Sequence, residues 1–258
     1  MSGKVYLVGG GPGDPELLTR KAARVLAEAD VVLHDALVSR EVLALANARA
    51  RMIDVGKRSG RKLLTQEEIN SLLVASAGSH AVVVRLKGGD PMLFAHGAEE
   101  IDALRDAGID YEVVPGITAG FAAAAAAGIS LTDRRVASQV LFTTIQRGTE
   151  NRSIQWAGIS STTTLVIYMP GTDYGEVARQ LRDAGWPEDT PCAIVSRVGS
   201  VEERIRESVL AHLGDELPLP APSLMIVGRV VRRHAEEIAD EFGPRPGAWA
   251  PADAVKVI

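Results

Sequence analysis

Three short stretches carry residue types able to hold a small ligand: "LVGGGPGDPELLT" (7–19), "RLKGGDPMLFAHGAEE" (85–100) and "VVPGITAG" (113–120). In each, an apolar run ends in glycine or proline. The second adds a carboxylate at Asp90 after Gly88 and Gly89, and the third a hydroxyl at Thr118 after Pro115 and Gly116. A glycine-rich turn after a strand is a common cradle for phosphate, but the spacing here argues against one. Counting Gly-x-Gly-x-x-Gly from Gly9 puts the third glycine position on Asp14, and counting from Gly11 puts it on Glu16. A carboxylate in that place repels a pyrophosphate. No Gly-Lys-Ser or Gly-Lys-Thr follows, so the nucleoside-triphosphate loop fails as well. Taken alone, the first loop is either a plain tight turn or one wall of a crevice for a ligand without phosphates. Ligands of open α/β sheets sit beyond the carboxyl ends of strands, and three such strand ends point to a shared site.

The elements that must position these loops alternate. Strands are expected at 4–9, 30–35, 51–56, 81–91 and 111–116, with helices at 15–29, 39–50, 65–78 and 97–108 between them. Thr65 with Glu68 three residues on is a capping-box pattern that opens the third helix. The β-branched run "AVVVRLK" is nearly continuous, as in a strand covered on both faces. Strands separated by helices imply a mainly parallel sheet. After about Leu131 the texture changes, with strands expected at 139–145, 163–169, 191–198 and 223–231 and one clear helix at 174–185. The expectation is α/β throughout: a first α/β domain over 1–130, a second with a more mixed sheet over 131–242, and a Pro/Ala-rich tail over 243–258. The alanine-rich stretch 119–128 suits close packing, either as a helix inside the first domain or between subunits.

Composition removes several function classes. The net charge of −5 over 258 residues argues against nucleic acid, which needs clustered cations. Cys192 is the single cysteine, so neither a disulfide framework nor a cysteine metal site is expected, and no other metal site is nominated. The apolar segment 116–131 is too short to span a bilayer, so no membrane partner is expected. The start "MSGKVYLVGG" runs directly into a strand pattern, and a cytoplasmic location is expected.

Taken together, "VGGGPGDPELLT", "VLHDALVS", "VGKRSG", "TQEEIN", "VRLKGGDP", "VVPGITA" and "APSLMIVGRVV" resemble the tetrapyrrole methyltransferases, and within them the uroporphyrinogen-III C-methyltransferases, over roughly 3–232. The resemblance implies two α/β domains with the active site in the cleft between them, usually in a homodimer. It implies S-adenosylmethionine, bound folded, with S-adenosylhomocysteine as product and a small tetrapyrrole as substrate. By the same pattern Pro12, Gly88, Gly89, Asp90, Leu93, Thr118, Ala119, Met169 and Val198 hold the cofactor. Asp90 would bind the ribose hydroxyls. Asp35 is nominated as proton acceptor and Lys57 as proton donor, while a helix cap and a solvated surface charge are their plain alternatives. Arg58 and Arg61 are either surface charges or carboxylate anchors.

The chain departs from the pattern where a ring of substrate carboxylates must be met. "FAHGAEE" puts His96 where an arginine is usual, although Glu99 is kept. "LTDRR" has Asp133 in place of a histidine and Arg135 in place of an acid, with Arg134 retained; "TTI" stands for "TGH", with Thr144 and Ile145. His96, Glu99 and Arg134 are the substrate-binding candidates. Losing the guanidinium fork weakens a carboxylate site and makes its charge depend on pH. Uroporphyrinogen III is the expected substrate; the alternatives are another tetrapyrrole or a paralogue that binds the cofactor without turnover.

Overall fold

Two five-stranded sheets organise the chain in the computed structural model, which describes residues 3–56, 64–145 and 156–231. The first sheet holds β1 (Lys4–Gly9), β2 (Val31–His34), β3 (Arg51–Asp54), β4 (Val82–Lys87) and β5 (Tyr111–Val114) in the order β3-β2-β4-β1-β5. All its pairings are parallel. Helices α1 (Arg20–Glu28), α2 (Arg40–Leu43), α3 (Gln66–Ala77) and α4 (Gly97–Asp106) make the crossovers. Apolar side chains fill both faces: Leu7, Leu33 and Leu73 pack on one side, and Leu26, Val84 and Leu86 on the other, all without exposure. Burying each such leucine is worth about 1.5–3 kcal/mol. Because β4, β1 and β5 are consecutive neighbours running the same way, their carboxyl ends emerge side by side.

Helix starts follow the capping signals in the sequence. At α3 the Thr65 hydroxyl accepts from the Glu68 amide, and the Glu68 carboxylate accepts from the Thr65 amide, as the capping box requires. The helix expected over 15–29 divides. Asp14 caps a short 3-10 turn over Pro15–Leu17, Leu18 is extended, and the Thr19 hydroxyl then caps α1 at the Ala22 amide. The helix expected over 39–50 is shorter, since α2 closes after Leu43.

The second sheet holds β6 (Gln139–Thr144), β7 (Thr163–Tyr168), β8 (Pro191–Ser196), β9 (Arg204–Val209) and β10 (Ser223–Val227) in the order β6-β7-β10-β8-β9. Only β6 and β7 pair in parallel; the other pairings are antiparallel, so this sheet is mixed. The edge strand β9 was not expected from "RIRESV", four of whose six residues are polar and three exposed. Helix α6 (Tyr174–Asp183) covers one face through Val177 and Leu181.

The alanine-rich stretch forms α5 (Ala119–Ala126), which packs against the second sheet rather than inside the first half. Ala123 and Ala124 touch the cluster of Val166, Leu224 and Ile226. Gly120 makes the close approach possible: a Cβ there would lie 2.5 Å from the Tyr168 hydroxyl and 3.0 Å from the Phe142 ring. Small side chains thus seat a helix that starts at one sheet and covers the other.

Candidate functional site

The three glycine loops meet. Gly11 and Gly89 exchange backbone hydrogen bonds at 3.1 and 2.8 Å, and the Gly10 amide donates to the Lys87 carbonyl at 2.7 Å. The third loop closes on both: a Cβ at Gly116 would lie 2.3 Å from the Gly89 oxygen and 2.8 Å from the Gly9 backbone. Glycine is therefore required at this crossing point by space alone. Asp90 locks the arrangement, since its Oδ2 accepts from the Gly116 amide at 3.0 Å and its Oδ1 from the Met92 amide at 2.8 Å.

The second half supplies the opposite wall. Pro12 touches the β8–β9 connection, where a Cβ on Gly199 would meet the proline ring at 3.1 Å, and Gly13 faces the carbonyls of Val198 and Gly199. Thr118, buried at the start of α5, shares a 2.6 Å hydrogen bond with the Tyr168 hydroxyl, which also accepts from the Gly120 amide at 2.7 Å. Burial pushes the Tyr168 phenol up, partly offset by Thr118 and Gly120, so it stays a neutral hydroxyl. The Tyr168 ring lies 5.1 Å from that of Phe94, a contact between the loop after β4 and the end of β7. Ala119 and Val198 lean on the second core, Leu93 is half-buried, and Met169 is exposed.

Backbone strain collects at the same loops. The described non-glycine residues with positive φ are Phe94, His96, Met169 and Arg197, at 49–54°. All four follow β4, β7 or β8. Strain of this kind survives only where the surrounding structure over-determines it, and it gathers at ligand sites.

Asp35 follows β2, next to β4 in the sheet, and its Oδ1 accepts from Arg85 Nη2 at 2.5 Å. The first and second strand ends are tied together by Ser39, whose hydroxyl donates to the Gly13 carbonyl at 2.6 Å while accepting from the Val42 amide. Lys57, Arg58 and Arg61 lie outside the described residues. His96 and Glu99 sit at the start of α4 and pair with each other, Nδ1 to Oε1 at 3.0 Å, and this contact lowers the Glu99 carboxyl. Arg134 is exposed on the connection between α5 and β6. Asp133 beside it is held by Arg135 through paired hydrogen bonds at 3.0 and 2.9 Å, so its charge is compensated locally.

Sequence reasoning missed Tyr168, Phe94, Arg85, Lys87 and Glu100. The last three are charged yet only 2%, 2% and 0% exposed. A visible signal existed: Arg85 and Lys87 interrupt the apolar run of β4, and an internal strand seldom holds two cations without buried partners.

The residues at the convergence suit a ligand without phosphates. The nominated set, Pro12, Gly88 to Asp90, Leu93, Thr118, Ala119, Met169 and Val198, offers backbone amides and carbonyls, the Asp90 carboxylate, the buried Thr118 hydroxyl and apolar contacts, and includes no cation. That donor set fits a sulfonium-bearing nucleoside, whose positive charge and ribose hydroxyls favour a carboxylate over a ring of amides aimed at an anion.

The tetrapyrrole (corrin/porphyrin) methylase model matches residues 4–214. A Synechocystis protein named uroporphyrinogen-III C-methyltransferase is 46% identical over 239 residues, covering 90% of each chain. A siroheme synthase of Methylobacillus flagellatus is 46% identical over 248 residues, 95% of this chain but 53% of that protein, so the chain spans about half of such relatives. Among solved structures, a Thermus thermophilus uroporphyrin-III C-methyl transferase complexed with S-adenyl homocysteine is 38% identical, with a TM-score of 0.78 over 89% of this chain and 94% of that one. With the model matching most of the chain, from the first strand to just past β9, and these relatives aligned along nearly its whole length, this protein belongs to the tetrapyrrole (corrin/porphyrin) methylases.

Proposed function

We propose that the protein is an S-adenosylmethionine-dependent C-methyltransferase acting on uroporphyrinogen III in siroheme- or cobalamin-type tetrapyrrole biosynthesis. The observation that carries the reading is that the three glycine loops meet through backbone contacts beside Asp90 and Thr118, in a chain that aligns over 90% of its length with a relative of that name. Pro12, Gly88, Gly89, Asp90, Leu93, Thr118, Ala119, Met169 and Val198 are the residues that would hold the cofactor. The bound cofactor supplies an electrophilic sulfonium methyl. The protein holds an electron-rich pyrrole carbon in line with it and excludes water, so that the displacement proceeds from an oriented pair. Asp35 takes the proton the macrocycle sheds as its double bonds rearrange, and Lys57 returns one to the ring. His96, Glu99 and Arg134 face the substrate's polar edge.

His96 at the arginine position favours one second reading, a tetrapyrrole with fewer carboxylates. The Asp133–Arg135 pair tempers it, because the added acid does not stand as an uncompensated charge. A homodimer belongs to the same proposal, as does a location away from membranes; no helix among the described residues is long and apolar enough to cross one.

The test is anaerobic turnover. Mixing protein, S-adenosylmethionine and uroporphyrinogen III should release S-adenosylhomocysteine and add methyl groups to the pigment by mass spectrometry. Tight cofactor binding without release would overturn the enzymatic reading. Release only with another tetrapyrrole would overturn the substrate.

A further inference from the structure

Behind Asp35 lies a chain of buried charges. The Arg85 guanidinium is shared in two directions: Nη2 donates to Asp35 Oδ1 at 2.5 Å, and Nε donates to Glu100 Oε1 at 2.9 Å. Its Nη1 donates to the Leu86 carbonyl at 3.2 Å, fixing the plane of the group. Glu100 Oε1 also accepts from Lys87 Nζ at 2.7 Å, while Glu100 Oε2 is buried without a hydrogen-bond partner among the described residues. Burial opposes the Arg85 charge, but Asp35 and then Glu100 outweigh it and raise the guanidinium further.

Stability does not explain these charges. Well-packed apolar groups of similar volume often replace a buried ion cluster at no loss or with gain. What the charges do is join three elements: the loop after β2 through Asp35, β4 through Arg85 and Lys87, and α4 through Glu100. Helix α4 begins beside His96 and carries Glu99 on its exposed side, while the next residue, Glu100, is wholly buried.

We infer that Arg85 and Glu100 are positioning residues that hold the Asp35 carboxylate against the end of β4 and tie its aim to the helix bearing His96 and Glu99. Lys87 balances the Glu100 charge so that Arg85 remains available to Asp35. The inference rests on the reading of Asp35 as the proton acceptor. It concerns residues that do not themselves touch the substrate.

Two variants test it. Glu100→Gln keeps the side-chain volume and removes the charge behind Arg85. The triple variant R85M/K87M/E100L replaces the whole buried set with apolar groups and leaves Asp35, which is partly exposed, without an uncompensated buried neighbour. For both, kcat with uroporphyrinogen III should fall about tenfold or more, while KM and the calorimetric affinity for S-adenosylhomocysteine stay within about twofold. Backbone amides of residues 35–39 should exchange hydrogen about tenfold faster than in the parent protein, measured without substrate. Parent-like kcat and parent-like exchange in either variant would overturn the inference. So would a fall in kcat matched by equal losses of cofactor affinity and melting temperature, which marks a merely structural role. If the parent protein itself fails to turn over uroporphyrinogen III, the functional reading falls, and the exchange rates alone still decide whether the pair positions Asp35.

Discussion

At Asp90 both carboxylate oxygens already hold backbone amides, those of Gly116 and Met92. A carboxylate has about four lone-pair sites, so capacity remains for ribose hydroxyls from the open side. Asp90→Ala should weaken S-adenosylhomocysteine binding by about 1–3 kcal/mol in calorimetry. Asp90→Asn, which can keep the Gly116 bond with its single oxygen, should lose less. Equal affinities in all three proteins would remove Asp90 from the site. His96 Nδ1 lies 3.0 Å from Glu99 Oε1, so the imidazole is already engaged by a neighbouring carboxylate. His96→Arg should lower KM for uroporphyrinogen III several-fold, since a guanidinium stays charged and can grip a carboxylate with two hydrogen bonds. Asp133→His should do less than the sequence alone suggests, because Arg135 already neutralises that acid. An unchanged KM in His96→Arg would mean the histidine does not stand against a substrate carboxylate.

Among the elements, the ends of β1, β4 and β5 act as one unit because their backbones touch. Gly116→Ala should therefore open the crossing point: its Cβ would fall 2.3 Å from the Gly89 oxygen, and backbone must move to relieve it. Overpacking of this kind costs about 1–3 kcal/mol of stability. Affinity for S-adenosylhomocysteine should drop as well, because the displaced loop carries Thr118 and Ala119. Gly78→Ala is the control, since its Cβ would meet the nearest atom at an ordinary 3.4 Å with no positive φ. Thermal melts and calorimetry of the pair check this, and a Gly116 variant that behaves like the Gly78 variant would show the loops to be independent.

For the whole molecule, the buried charges give folding a pH dependence. Burial, and then the Arg85 charge, push the Lys87 ammonium below its usual range. A lysine lowered in the folded state binds its proton more weakly there than in the unfolded chain, whose value is about 10.4. Between the two values the unfolded state holds more protons, so stability rises with pH through that window, and the cost of the buried ammonium is fully present below it. Urea unfolding at a series of alkaline pH values should show this rise, and Lys87→Met should flatten it. An equal slope in both proteins would show that Lys87 does not set it. The proposed homodimer has its own check: light scattering at micromolar concentration should give twice the chain mass, and a monomer mass would remove it.

Much of this architecture is local and was open to reading along the chain. The alternation of apolar runs and capped helices identified four of the five second-sheet strands and all five first-sheet strands. The capping box at Thr65 and the glycines ending β1, β4 and β5 are likewise properties of contiguous residues. The family motifs carried Asp35, Asp90, Thr118 and Met169, and also Lys57, which lies outside the described residues. Strand order was not local. That β4 lies between β2 and β1, so that Arg85 reaches Asp35 across 50 positions of sequence, follows from how the crossover helices pack, which no short window encodes. The same holds for α5, whose alanines read first as a helix inside the first half and otherwise as close packing between subunits. Only the space left over the second sheet, narrowed at Gly120 beside Tyr168, decided where that helix lies. Periodicity tells a segment which of its faces is apolar; the partner that covers the face is settled by the competition of all segments for the same core.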